Sequence, residues 1–466
     1  MSSQPDSSAS SFRAFESAAA ALYAREAAVY AERRPRSSAA CRDHGAGFVS
    51  NVPLHWMLDW PMPFPMVVAE AQGVHIADID GNRLTDFCLG DTGAMFGHAP
   101  PPVVRALAGL ATRGFTFMLP SADAFAAGDL LAARFGLPHW QVATTASDAN
   151  RFAIRAARAV TRRPKVLVFD GCYHGTVEDT LVDLVDGRTI ARRSLIGQVA
   201  DLSQTTVAIP FNDVDALRQA LAAGDVACII AEPVMTNCSM ILPEPGFHEA
   251  LRALTRAAGT LLLIDETHTL STGPGGYTRV HGLEPDLMVM GKPIAGGVPA
   301  AVWGMTAAVA EAFAAARDRD EHGHSGIGTT LSGSALQLAC LRACLEEVMT
   351  EEAYAAMLDR AAEIEAGLAS VIRSFGLPWH VARVGARLEV VFRSAPLRNA
   401  AEARAAAMPE TERALHMMLL NRGFLLTPFH NMVLVGPGVT NAEAAAFVAA
   451  FADAVAELSS SAEAIQ

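Results

Sequence analysis

Lysine is almost missing from this chain of 466 residues: of its 36 basic residues only Lys165 and Lys292 are lysines, and the rest are arginines. A lysine kept against such a background suggests a position that arginine cannot fill, because only lysine joins a tunable charge to a nucleophilic amine. Missing too is any uninterrupted apolar run of the roughly 18 residues that a membrane-spanning helix requires, so no membrane span is expected. Basic charge is scarce overall. The net charge of −13 argues against a nucleic-acid partner, which calls for a basic face. No C-x-x-C pair or zinc-type His/Cys spacing occurs among the seven cysteines, which sit mostly in apolar stretches and read as reduced, buried thiols. The Ser-rich start followed by an Ala-rich run carries Asp6, Glu16 and Glu26 and lacks the pattern of a secretory signal, which makes cytoplasm the expected location.

What is present is enough apolar sequence for a large core. Hydrophobic residues make up 51% of the chain and charged ones 18%, which excludes disorder over most of the length. Residues 1–12 and the tail from Ser459 are Ser-rich and are expected to be disordered. A helix is expected over 13–35, and from about 66 to 87 the sequence alternates around Asp80-Gly81 as a hairpin does. These elements form an N-terminal segment, 13–84. The middle of the chain then changes character. Short apolar runs, KVLVFD (165–170), ACIIAEP (227–233), LLLIDE (261–266), LMVMGK (287–292) and AAVWGM (300–305), are separated in several places by helical patterns such as 213–223 and 247–258. Strands apolar on both faces that alternate with helices predict a mostly parallel sheet covered by helices, in a large α/β domain over 85–330. Helix over 334–375, strands within 380–393 and 422–436, and a closing helix over 439–458 read as a smaller α+β domain over 331–466, completed by the N-terminal segment.

Ligands of open parallel sheets bind beyond the carboxyl ends of the strands. The residues just past the apolar runs are Tyr173 and His174, then Glu232, then Asp265 through His268, then Lys292. A carboxylate, an aromatic ring and one of two lysines thus reach one edge. An uncharged lysine amine forms a Schiff base with an aldehyde. A carboxylate against a pyridine nitrogen keeps that nitrogen protonated, an aromatic side chain stacks on the ring, and a helix N-terminus takes a phosphate. Together these needs specify pyridoxal phosphate. Two stretches of small polar residues could cradle its phosphate: Thr144 to Asn150, ahead of a helix over 150–161, and Gly328 to Gly333.

From about residue 60 onward the chain resembles the class III aminotransferases of pyridoxal-phosphate fold type I, most of all the glutamate-1-semialdehyde aminomutase-like branch. The resemblance rests on ADIDGNRLTDF, FDGCYHG, IIAEPVMTN, GFHEALRALTRAAGTLLLIDE, PDLMVMGKPIAGGVPAAVWGM and TTLSG, in order over some 250 residues. It implies a homodimer with shared active sites, in which Lys292 is the Schiff-base lysine and proton shuttle and Asp265 pairs with the pyridine nitrogen. Tyr173 would stack on one ring face with Thr267 on the other, and Asn237 would lie near the ring hydroxyl. The backbone amides of Ala146 and Ser147 would hold the phosphate, with Thr330 reaching over from the neighbouring subunit.

The sequence departs from that pattern in three places. Thr145-Ala146-Ser147-Asp148-Ala149 replaces the usual Ser-Gly-Thr-Glu-Ala, so Ala146 requires φ < 0 or strain. D-E-T-H stands at 265–268 where D-E-V-M or D-E-V-Q is commoner. The stretch Asn51 to Met57 holds no arginine, where the branch usually places one for a substrate carboxylate; Arg387 is a candidate replacement. The expected activity is therefore amino transfer from an amino acid or amine to a keto acid or aldehyde. The alternatives are an intramolecular aminomutase or a racemase on the same site and, more remotely, a non-catalytic protein that holds the cofactor. Lys165 reads as a solvated strand-start residue. The charged run Arg317 to Glu321 with His322 and His324 reads as a solvated loop, not a metal site, because the arginines would repel a cation. Met57, Met62 and Met66 read as core filling or as lining of a substrate entrance.

Overall fold

The structure is a computed structural model that describes residues 7–319 and 324–465. The chain divides into two compact units. The larger comprises Thr92–Ala355 and Pro396–Ala405; the other comprises the chain up to Asp91, Ala356–Ala395 and the chain from Ala406 onward.

The larger unit is built on a seven-stranded sheet. Its strands are β1 (His139–Ala143), β2 (Lys165–Phe169), β3 (Thr206–Ile209), β4 (Val226–Ala231), β5 (Leu261–Asp265), β6 (Leu287–Met290) and β7 (Ala301–Met305), in the spatial order β1-β7-β6-β5-β4-β2-β3. The pairs from β6 through β5, β4 and β2 to β3 are parallel, whereas β7 runs antiparallel to both of its neighbours. The five apolar runs are all strands, and β4, β6 and β7 are buried along their whole length. The reversal of β7 follows from its connection: residues 291–300 are too few for the crossover of a dozen or more residues that a parallel return needs. Two strands, β1 and β3, occupy the sheet edges, where burial is broken and no continuous apolar run announces them.

Helix α1 (Ala146–Thr161) packs its buried face, which includes Asn150, Ala153 and Ala157, across the middle of this sheet. Thr145 caps its start, accepting the Asp148 amide proton at 3.2 Å. Ala146 is the first helical residue and its φ is negative, so the missing glycine costs no left-handed strain there. The larger unit also extends past residue 330. Ala335 and Ala339 of the helix Ala335–Ala343 share a buried cluster with Leu110, which holds that helix against Pro101–Leu110.

In the other unit, strands Val68–Gln72, His75–Asp78 and Arg83–Asp86 form a meander that Phe424–Leu425 joins in parallel. Gly81, with φ +91°, makes the turn expected at Asp80-Gly81. A second sheet pairs His380–Val384, Arg387–Val391 and Val433–Leu434. Met62 and Met66 pack against the core of Tyr30, Leu84 and Met417 as filling. Of the two ends expected to be disordered, residues 7–12 belong to the first helix, which begins at Ser7, and residues 459–463 to the last, which runs from Asn441 to Glu463. That last helix is long and apolar enough to cross a membrane, but Phe447, Phe451, Val455 and Leu458 lie on one buried stripe, as in a core helix. Residues 1–6 of the Ser-rich start and residues 320–323 of the charged loop lie outside the described residues.

Candidate functional site

Four parallel strands end at one cavity of about 340 Å³ in the larger unit, within the ordinary size range of ligand pockets. At the end of β1, Thr144 and Thr145 lead into α1, so Ala146 and Ser147 present first-turn amides that have no partner inside the helix. These amides and the positive end of the helix dipole favour an anion. Two glycines let neighbouring loops close on this helix start. Gly175 has φ +82°, and a Cβ there would lie 2.1 Å from Ser147 Oγ; a Cβ on Gly291 would lie 2.8 Å from that of Ala146. Ser147 Oγ is not idle, since it accepts the Thr176 amide proton at 3.0 Å.

Asp265 ends β5 on the cavity floor. Its Oδ2 accepts from Asn150 Nδ2 at 2.8 Å and lies 3.0 Å from His174 Nδ1, while Oδ1 accepts the Thr267 amide at 3.1 Å. Burial opposes the charge on Asp265, yet His174 and the donors from Thr267 and Asn150 outweigh it and hold the carboxyl at about 2. His174 moves the other way. Burial works against its imidazolium, but Cys172 and the Asp265 carboxylate raise it to about 10. The cavity floor is therefore a carboxylate backed by an imidazole whose protonated form it favours.

Lys292 follows β6 on the short turn Lys292–Ala295 and adopts φ +42°, a region that residues other than glycine seldom occupy. Its Nζ is hydrogen-bonded to His268 Nε2. His268 Nδ1 lies 2.5 Å from Thr236 Oγ1, and that hydroxyl donates to Glu232 Oε2 at 2.5 Å. Asn237 Nδ2 donates to Glu232 Oε1 at 3.2 Å. Burial pushes the Glu232 carboxyl up from its ordinary value.

Of the residues expected from sequence, Ala146, Ser147, Tyr173, Asn237, Asp265, Thr267 and Lys292 all line this cavity. Thr267 Oγ1 is buried there with no hydrogen-bond partner. Thr330 does not line it; it sits on an exposed turn beside a neighbouring depression, next to Thr329, whose Oγ1 lies 3.3 Å from that of Thr144. Lys165 lies outside the cavity and pairs with Asp225 at 2.9 Å. Arg387 belongs to the other unit, fully buried, with Nη1 2.8 Å from Met432 Sδ, and is not among the lining residues. Among the described residues no cluster of ligands could hold a metal ion. Sequence reading placed Asn150 only at the end of a candidate phosphate cradle and His268 only among the residues past a strand, and it gave Thr236 no role. A polar residue in the buried stripe of α1 is the one signal that could have flagged Asn150.

A family model described as aminotransferase class-III matches residues 58–455. The chain is 33% identical over 366 residues to a glutamate-1-semialdehyde 2,1-aminomutase of Anaeromyxobacter sp. (strain Fw109-5), covering 78% of this chain and 84% of that one. Among solved structures it resembles a glutamate-1-semialdehyde aminomutase from Pseudomonas aeruginosa PAO1, at 47% identity and TM-score 0.93 over 95% of this chain and 99% of that one. A substituted form of that protein is solved in complex with PMP. An omega-transaminase from Sphaerobacter thermophilus is similar at 28% identity and TM-score 0.83, covering 92% and 99%.

Proposed function

This chain belongs to the class III aminotransferases, and from that premise we propose that it moves an amino group within one molecule, as an aminomutase acting on an amino aldehyde such as glutamate 1-semialdehyde. The observation that carries the reading is the convergence of the Lys292 amine, the ionised Asp265 and the α1 amides on one cavity, in a chain whose relatives are named aminomutases. Its cofactor is pyridoxal phosphate, which when bound supplies an aldehyde that takes up amines and a ring that draws electrons from the adjoining carbon. The amides of Ala146 and Ser147 hold the phosphate. Asp265 holds a proton at the ring nitrogen, and His174 keeps Asp265 charged while it does so. Tyr173 and Thr267 would flank the ring and keep water from it. Lys292 Nζ would hold the cofactor and carry a proton between neighbouring substrate carbons.

A second reading, amino transfer to a separate keto acid or aldehyde, is favoured by the stretch Asn51 to Met57, which lacks an arginine for a substrate carboxylate. The two readings separate when the amine form of the enzyme meets glutamate 1-semialdehyde alone. Catalytic appearance of the isomeric amino ketone with no added acceptor supports the aminomutase. A single half-turnover that leaves the enzyme in its aldehyde form and resumes only when an amino donor is supplied supports the transaminase.

The reading includes a cytoplasmic homodimer with shared sites. None of the seven cysteines is in a disulfide, as a reducing compartment requires. Thr330 lies outside its own chain's cavity, which fits a phosphate contact supplied by a second copy. Light scattering during turnover should find two chains in every active particle; a fully active monomer would end the shared-site model.

Gly175→Ala should weaken cofactor binding by about tenfold or more. The new Cβ meets Ser147 Oγ at 2.1 Å, and the left-handed backbone alone costs roughly 1–2 kcal/mol with a side chain. Equilibrium dialysis measures it, and an unchanged affinity shows that the loop moves aside freely.

A further inference from the structure

The hydrogen bonds leading away from Lys292 have a fixed polarity. Glu232 is the far end, and its Oε2 accepts both the Thr236 hydroxyl at 2.5 Å and the Thr236 amide at 3.2 Å. With its proton committed to Glu232, the Thr236 oxygen can only accept from His268, so Nδ1 is the protonated ring nitrogen. That leaves the lone pair of Nε2 facing Lys292 Nζ. Every member is enclosed: Thr236 is fully buried, and Glu232 and His268 are 5% exposed. The links from Glu232 through Thr236 to His268 are shielded from water, whereas Lys292 stands half-buried at the cavity, and the tautomer of the imidazole is set by a group two hydrogen bonds away.

We propose that His268, oriented by Glu232 through Thr236, is a positioning residue that holds the Lys292 amine in its working direction and keeps one of its protons engaged between turnovers. The proposal rests on the reading of Lys292 as the reacting amine. The titratable and charged groups around His268 are Lys292 from the turn after β6, Glu232 from the end of β4 at 3.9 Å, and Asp265 with His174 across the same cavity. Glu266, beside it on the same segment, is turned away onto the amides of Tyr277 and Thr278. The usual methionine or glutamine at this position offers no tautomer to set, so D-E-T-H is more than a spelling change.

The two lysines make the test self-calibrating. In the full-length protein stripped of cofactor, acetic anhydride labels Lys292 in competition with Lys165, whose pairing with Asp225 is untouched, and peptide mapping gives the ratio. An amine released from a charge-assisted hydrogen bond acylates faster, so His268→Met should raise the Lys292 to Lys165 ratio about tenfold. Thr236→Val is isosteric, keeps the packing and cuts the link to Glu232; it should move the ratio the same way, while Thr236→Ser stays near wild type. In the loaded enzyme, His268→Met and Thr236→Val should lower kcat by about ten- to a hundredfold with little change in KM, the mark of lost orientation rather than lost binding. A Thr236→Val ratio equal to wild type overturns the proposal, as does a Lys165 label that rises in step with Lys292. Failure of the underlying reading looks different: the ratios shift as expected, but borohydride fixes the cofactor elsewhere than on Lys292.

Discussion

Lys292→Arg is expected to abolish turnover, with kcat down by more than about 10³-fold, while the protein stays folded and retains pyridoxal phosphate weakly. Arginine keeps the charge and the length but not the chemistry, because a guanidinium with a pKa above about 12 stays protonated and forms no covalent link to an aldehyde. The fold should survive, since Lys292 faces the cavity and adopts a backbone conformation, φ +42°, that arginine can take at the same cost. Cofactor is retained because the amides of Ala146 and Ser147 and the carboxylate of Asp265 are untouched. Lys165→Arg is the matched control and should change kcat by no more than about twofold, because Lys165 lies outside the cavity and arginine can keep the half-buried pair with Asp225. Borohydride reduction of the loaded enzyme followed by peptide mapping closes the argument. A cofactor label on Lys165, or on neither lysine, defeats the assignment of Lys292.

The parallel strands were legible because burial on both faces writes itself as an unbroken apolar run, as in Val226–Ala231. Edge strands carry no such mark. β1 is exposed at alternate positions, and β3 is four residues long, so neither stood out from loop sequence. The direction of β7 was hidden for another reason: its residues are as apolar as those of a parallel strand, and only the short connection before it decides the sense.

In the site, residues that follow a strand directly could be placed by counting, which is why Asp265 and Lys292 stood out. Residues whose importance comes from a partner far along the chain could not. Asn150 touches Asp265 across 115 residues, and His174 does so across 91; no local pattern encodes either contact. The chain from His268 to Glu232 is of the same kind. Its members sit at the ends of adjacent strands, β5 and β4, and become neighbours only when the two pair. Thr236 in particular looks in sequence like any buried threonine.

Asp265→Asn should lower kcat by about 10³-fold or more, equivalent to roughly 4 kcal/mol of transition-state stabilisation, with the cofactor still bound. The amide oxygen can still accept from the Thr267 amide, so the local backbone keeps its partner, while the amide nitrogen takes the place of the oxygen that accepted from Asn150. What it lacks is the charge that holds a proton on the ring nitrogen, and without that proton the ring draws electrons poorly. The substitution also has a signature that does not depend on turnover. In the wild type His174 is raised from its ordinary 6.5 to about 10. A raised histidine contributes stability that is complete below the unfolded value and is lost as pH climbs through the folded one, here between about 6.5 and 10. Asp265, lowered to about 2, contributes stability that is complete above its unfolded value near 3.9 and disappears only as pH falls through about 2. The wild type should therefore lose stability steadily from neutral to alkaline pH. Asp265→Asn removes the carboxylate at 3.0 Å from the imidazole and leaves burial to pull His174 down. Its unfolding free energy from denaturant titration should lie about 3 kcal/mol below wild type at pH 6, as for a broken buried pair, and should then stay nearly flat toward pH 10. A variant that keeps the wild-type alkaline slope, or a kcat within about tenfold of wild type, shows that Asp265 neither holds the histidine nor serves the ring.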